Sequence, residues 1–295
     1  MTLRSILLAA TALSGTVLAA HAGDLTFAPV AAPADDAAKR QVSVSASATM
    51  DGTETALAYH PFFRSGDKVG EAMFGQILDA TGKPVPQDGT DYSNAPDFTS
   101  LLPVGGKLFS ITHFETVPAA MYLSELTQDA DGNLTPVSTK PIDFSKVGGL
   151  WDPCAGSVTP WNTHLGSEEY PQDARLMETA ATVSDIDDDE VTGMARYFGL
   201  DPATMTMDEY RAAVNPYRYG FPTEIAVSEA GEPTVTKQHA MGRVSVELAN
   251  VMPDQKTAYI TDDGTNVGIF RFVADKEADL SAGQLFAAKW VQTSD

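Results

Sequence analysis

The sequence predicts an all-β chain, and three observations carry that prediction. Short runs alternate apolar and polar residues with the period of a strand. Clusters of Asp, Gly and Asn separate those runs at close spacing. Most of the chain lacks the helical periodicity that a βαβ chain needs between its strands. Together these argue for a sandwich or a propeller. Residues 107–112 (KLFSIT) alternate, as do 121–126 (MYLSEL), which run into the turn Asp129-Ala130-Asp131-Gly132-Asn133. Residues 256–261 (KTAYIT) lead into Asp262-Asp263-Gly264-Thr265-Asn266, and 267–273 (VGIFRFV) return. No internal repeat stands out.

In chain order, residues 1–22 read as a secretory leader: Arg4 supplies the positive charge, residues 6–20 the apolar stretch, and Ala20-His21-Ala22 the small-x-small cleavage site. The mature start is then Gly23, and the missing twin arginine points to the general secretory route. Residues 23–50, rich in Ala, Asp, Ser and Pro, are expected to be a mobile arm, and 51–295 a β domain. A helical insertion is expected at about 185–215. It follows the acidic run from Asp185 to Glu190 and contains residues 191–200 and 208–214, the latter opened by the Thr206-x-x-Glu209 capping box. After the leader no stretch is long and apolar enough to span a bilayer, so the expectation is a periplasmic or extracellular protein without stable membrane insertion.

The net charge of −21 excludes nucleic acid and anionic membranes as partners, and suggests that some carboxylates hold cations. Cys154 is the one cysteine, so there is no internal disulfide. Its thiol is buried and inert, paired to another molecule, or bound to a metal. Asp185, Asp187 and Asp189 have the first spacings of a calcium loop, but Glu190 and Arg196 stand where Gly and the bidentate Glu are needed. Asp129, Asp131 and Asn133 fail similarly at Leu134 and Lys140. Both read as solvated turns.

The stretch from Trp151 to Trp161 (WDPCAGSVTPW) reads as a fixed loop, and it leads to Glu168 and Glu169. It brings a thiol and two adjacent carboxylates into one loop system; the plain alternative is an exposed Glu pair and a small buried Cys. Glu115 follows an alternating strand, Glu224 follows an aromatic Gly-Pro turn, and Arg243 and Glu247 would share one face of a strand. Ser157 lacks a nucleophile elbow, and no Gly-rich loop cradles phosphate. After the leader the histidines are His60, His113, His164 and His239.

The run from Cys154 to Trp161 leading to Glu168-Glu169 resembles the hallmark of the PhoX-type alkaline phosphatases. So do 219–225 and the stretch from His239 to Trp290, with Arg243, Glu247, the Asp262-Asp263 turn and Asp279-Leu-Ser-Ala-Gly283. The resemblance implies an exported β-propeller with hub metals, calcium and iron, that hydrolyses small-molecule phosphate esters as a monomer. It implies Cys154 as an iron ligand and Glu168, Glu169, Glu224 and Glu247 as metal carboxylates, with weaker transfers to Glu115, Asp262 and Asp263. Arg243 would contact phosphate or orient Glu247. Set beside the family pattern, the chain departs at Thr112, His164, Ser167 and Val246, and it stops soon after Gly283, which suggests an incomplete propeller. A second expectation is a calcium-binding propeller that serves as a binding or structural module without turnover.

Overall fold

The computed structural model describes residues 24–291 and 293, except 88 and 187. The leader and its cleavage site lie outside the described residues. The chain divides into two units, Met1–His60 and Pro61–Asp295.

In the first unit, β1 (Leu25–Phe27), β2 (Ser47–Met50) and β3 (Thr53–Ala56) form an antiparallel sheet. The segment expected as an arm thus carries strands. Asp51 and Gly52, both at positive φ, join β2 to β3, the backbone that a two-residue hairpin turn demands. A short helix, α1 (Asp36–Lys39), is capped by the Asp35 carboxylate. None of the described residues of this unit is buried, so the sheet has no core of its own.

The second unit opens with a short hairpin of β4 (Lys68–Val69) and β5 (Ala72–Met73). Three four-stranded antiparallel meanders follow, in which strands adjacent in sequence are adjacent in space. The first sheet holds β6 (Pro96–Val104), β7 (Lys107–Phe114), β8 (Ala120–Gln128) and β9 (Leu134–Pro141). The second holds β10 (Ser157–Val158), β11 (His164–Gly166), β12 (Thr223–Val227) and β13 (Pro233–Lys237). The third holds β14 (Val246–Val251), β15 (Thr257–Asp262), β16 (Ile269–Lys276) and β17 (Asp279–Ala287). The all-β expectation holds, and four of these strands match the alternating runs within a few residues. Among the described residues no sheet closes on itself.

The second sheet lies between the other two. His164 pairs with Ile225 and Leu165 with Glu224, so each pair occupies one face. Ile225 joins the core of Leu102, Phe109, Ile111, Met121 and Leu123 from the first sheet. Leu165 joins that of Val246, Ala249, Ile260 and Phe272 from the third. The period-two alternation of β11 and β12 is what lets one sheet serve two cores. Phe74, Ile77 and Val85 pack outside the first sheet on Phe114 and Tyr122.

Between β11 and β12 lies the helical insertion: α2 (Ala174–Thr179), α3 (Asp188–Tyr197) and α4 (Met207–Ala213). It begins earlier than the expected 185. The Thr206/Glu209 capping box is present at α4. The helices bury Met177, Val191, Met194, Tyr197 and Tyr210 around Trp151 and Tyr219. Asp129 accepts from the Asp131 and Asn133 amides and from the Asn133 side chain, so that turn is complete without an ion. Among the described residues no helix is long and apolar enough to cross a membrane.

Gly193 of α3 packs directly on the Val117 carbonyl, where a methyl group would overlap the oxygen. Gly193→Ala should therefore destabilise the second unit by about 1–3 kcal/mol, despite the better helix propensity of Ala. A shift of the denaturant midpoint measures this; an unchanged midpoint would mean that α3 does not hold this contact.

Candidate metal centre

Glu168 and Glu169 are neighbours that turn to different environments. Glu168 is fully buried, and its Oε1 accepts from Lys237 Nζ at 2.7 Å and the Trp151 amide at 3.1 Å. Its Oε2 accepts from the amides of Gly220 at 3.1 Å and Phe221 at 3.4 Å. Lys237, itself buried, also donates to the Arg218 carbonyl and faces the Tyr219 ring. Burial pushes the Glu168 carboxyl up and the Lys237 ammonium down, and their contact opposes both shifts. Both oxygens of Glu168 are thus occupied, and the metal role expected for it does not fit. Glu169 faces the other way, into a cluster of acids, at 3% exposure.

That cluster contains Asp97, Glu115, Asp152, Cys154, Glu169 and Glu247. They form three overlapping triads, Asp97–Glu115–Cys154, Cys154–Glu169–Glu247 and Glu115–Asp152–Glu169, with ligand atoms within 4.8 Å of one another. All three four-stranded sheets of the second unit contribute. Asp97 sits in β6 where the register shifts between Pro96 and Thr99. Glu247 sits in β14 where it shifts between Val246 and Leu248. A bulge re-aims a side chain that a regular ladder would point elsewhere. Glu115 follows β7, Glu169 lies beyond β11, and Asp152 and Cys154 come from the loop before β10. Asp152 has a positive φ, and its carbonyl accepts the Glu169 amide at 2.9 Å.

The peptide groups of Cys154 are both held. Its amide donates to Ser167 Oγ at 2.9 Å, and its carbonyl accepts from His113 Nδ1 at 2.5 Å. Its thiol donates to Glu247 Oε1 at 3.4 Å. Behind the loop, His113 Nε2 lies 2.7 Å from His164 Nε2.

The electrostatics follow from crowding. Burial pushes Glu169 up to about 7, aided by the charges of Glu247, Asp152, Asp263 and Glu115. Burial, with Glu115, pushes Asp152 up to about 6. Glu115 is raised by burial and then by Asp97 and Glu247. The Cys154 thiol is pushed up by burial and by its bond to Glu247. Among the described residues no salt bridge reaches any of the six. A set of anionic donors that lacks a protein cation fits a bound metal ion, and the thiol adds a soft ligand to the hard oxygens.

The other expected residues are placed differently. Glu224 Oε1 accepts from Trp161 Nε1 and Thr163 Oγ1, and Oε2 from Gln238, so both oxygens are engaged on the face toward the third sheet, and Glu224 joins none of the triads. Arg243 donates to the carbonyls of Gln172 and Pro216, tying down the ends of the helical insertion. Asp262 ends β15 opposite Val246 and joins none of the triads. Asp263 bonds to the Tyr170 hydroxyl at the margin of the cluster and faces Glu169. Two members escaped the sequence reading. Asp152 had a signal, a carboxylate two residues before the cysteine, whereas Asp97, which stays exposed, had none, because only the bulge brings it to the rim of the cluster.

The raised carboxyls of the cluster, Glu115, Asp152 and Glu169, return to ordinary values on unfolding, so between those values and the folded ones the native state binds more protons. The metal-free protein should lose stability as pH rises from the ordinary carboxylate range to about 7, and excess calcium should cancel that loss. Melting curves at several pH values, with EDTA or calcium, test this; a flat metal-free profile would remove the crowding argument. Lys237→Met leaves Glu168 buried and unpaired, and should cost about 3–5 kcal/mol. The folded fraction should still bind metal, which elemental analysis at low temperature would show.

A family model described as Alkaline phosphatase PhoX matches residues 121–289, more than half of the chain. Among solved structures, Pseudomonas fluorescens PhoX in complex with vanadate, a transition state analogue, matches at 15% identity and a TM-score of 0.46, over 72% of this chain and 50% of that one. A mutant of the Synechocystis apocarotenoid oxygenase matches at 14% identity and a TM-score of 0.29, over 73% of this chain and 42% of that one. The chain spans half or less of the length of these two. No curated protein matches. The family match runs through Cys154, Glu169 and Glu247, and the chain belongs to the alkaline phosphatase PhoX family.

Proposed function

We propose that this chain is part of an exported, metal-dependent phosphatase that hydrolyses small-molecule phosphomonoesters. The observation that carries the reading is the cluster of five carboxylates and one thiol, drawn from three sheets and without an ion pair to Lys or Arg among the described residues. Glu115, Asp152, Glu169 and Glu247, with Asp97 at the rim, are oxygen donors suited to calcium. Cys154 suits a softer ion, and iron is the metal proposed there. Such ions would polarise the phosphoryl oxygens and supply the charge stabilisation that phosphoryl transfer needs. The chain's own residues hold the site: Ser167 and His113 anchor the Cys154 peptide, and the Glu169 amide fixes the Asp152 turn. The three stacked four-stranded meanders are read as blades of a propeller, and the enzyme as a monomer exported through its leader.

A second reading is favoured by one observation. Arg243, expected at the phosphate or at Glu247, is bonded to backbone carbonyls of the insertion, and no Lys or Arg forms an ion pair with the cluster among the described residues. A calcium-binding module without turnover would need no such group.

The assay is hydrolysis of p-nitrophenyl phosphate by the intact protein, with calcium and iron supplied. Glu169→Gln, which removes the charge shared by two of the triads, should lower kcat at least about a hundredfold, as loss of a positioned charge in a closed site does. Cys154→Ala should lose iron and keep calcium. No turnover by the metal-loaded protein, with calcium still bound, would favour the second reading. Equal activity in the Gln variant would remove Glu169 from the site.

A further inference from the structure

His113 and His164 are fully buried, and neither belongs to the ligand triads. Their Nε2 atoms lie 2.7 Å apart, with the ring planes at 84°. The outer nitrogen of His113 meets the Cys154 carbonyl at 2.5 Å, and that of His164 meets Ser100 Oγ at 2.9 Å. Phe98 lies against both rings, at 5.7 and 5.9 Å between centroids. Gly166 leaves the room: a methyl there would sit 2.9 Å from His113 Nε2.

These contacts admit one arrangement of protons. A carbonyl oxygen only accepts, so His113 Nδ1 carries its hydrogen. Two nitrogens 2.7 Å apart hold a single hydrogen between them. Among the described residues no carboxylate hydrogen-bonds either ring, and buried imidazoles without such a partner stay neutral. The Nε2 of a neutral His113 is then bare, and His164 Nε2 is the donor. His164 Nδ1 is bare in turn and accepts the Ser100 hydroxyl. The hydrogen bonds run one way, from Ser100 through His164 and His113 to the Cys154 carbonyl.

We propose that His113 and His164 are positioning residues: their one-way chain fixes the Cys154 carbonyl, and with it the direction in which the thiol enters the acidic cluster. The chain sets which tautomer each ring adopts, as an outer hydrogen-bond partner orients a ligand in metal sites generally. The consequence for metal binding rests on the reading of the cluster as a metal centre; the direction of the chain does not.

The first test is a long-range proton–nitrogen NMR correlation on the folded wild-type protein. It should show His113 protonated at Nδ1 and His164 at Nε2. His113 protonated at Nε2 would overturn the chain. The second test uses cobalt(II), whose thiolate charge-transfer band reports the Cys154 bond directly. His164→Leu removes the donor to His113 and should weaken cobalt binding about 10- to 100-fold, with a shifted band. His164→Gln keeps a donor at that point and should recover most of the affinity. Should His164→Leu fail to fold, Ser100→Ala deletes one hydroxyl at the far end and should still weaken binding several-fold. Wild-type affinity and band in the folded variants would overturn the positioning role. The expected tautomers together with no cobalt band in wild type would sustain the hydrogen-bond chain and sink the metal reading alone.

Discussion

In an extended chain successive side chains leave on opposite faces, and residues 164–169 use that rule between three sheets. His164 turns to the first sheet, where it meets His113 and Ser100. Leu165 turns to the core of the third. Gly166 leaves space for the His113 ring, and Ser167 takes the Cys154 amide. Glu168 goes to Lys237, and Glu169 to the acids. A slip of one residue would bury Leu165 among polar groups and put Glu168 where Glu169 stands. The placement of this short segment therefore decides both the stacking of the sheets and the composition of the cluster.

The two glutamates show how the same charge is handled in two ways. Glu168 is neutralised by Lys237 and by three backbone amides, so it is a closed structural element. Among the described residues Glu169 forms no ion pair; it meets the Tyr170 hydroxyl and further anions instead. Like charges crowded around a buried carboxylate repel, and the raised Glu169 and Asp152 show that protonation or a bound cation relieves them. That contrast is the physical argument for metal at the cluster, and against it at Glu168.

The positions at which the sequence departs from the family pattern are absorbed into the surroundings of the site. His164 supports Cys154 through His113, and Ser167 holds its amide. Thr112 bonds to Thr99 across the first sheet, and Val246 is buried in the third sheet's core. Two of the four thus act on the backbone of the one thiol, and none of the four is itself a member of the cluster.

The sequence by itself determined the all-β class and the helical insertion with its capping box; through its family resemblance it also singled out Glu115, Cys154, Glu169 and Glu247, which the fold brings together. Alternation, capping and the loop around Cys154 are local patterns, set by neighbours a few residues apart. Asp97, the partners of Glu168 and Glu224, and the turning of Arg243 toward the insertion were decided only by the tertiary structure. Each depends on which strand lies opposite or where a bulge falls, and a bulge changes the facing of a side chain without changing any residue beside it. Glu168 and Glu169 are alike in sequence; what separates them is Lys237, distant along the chain and adjacent in space.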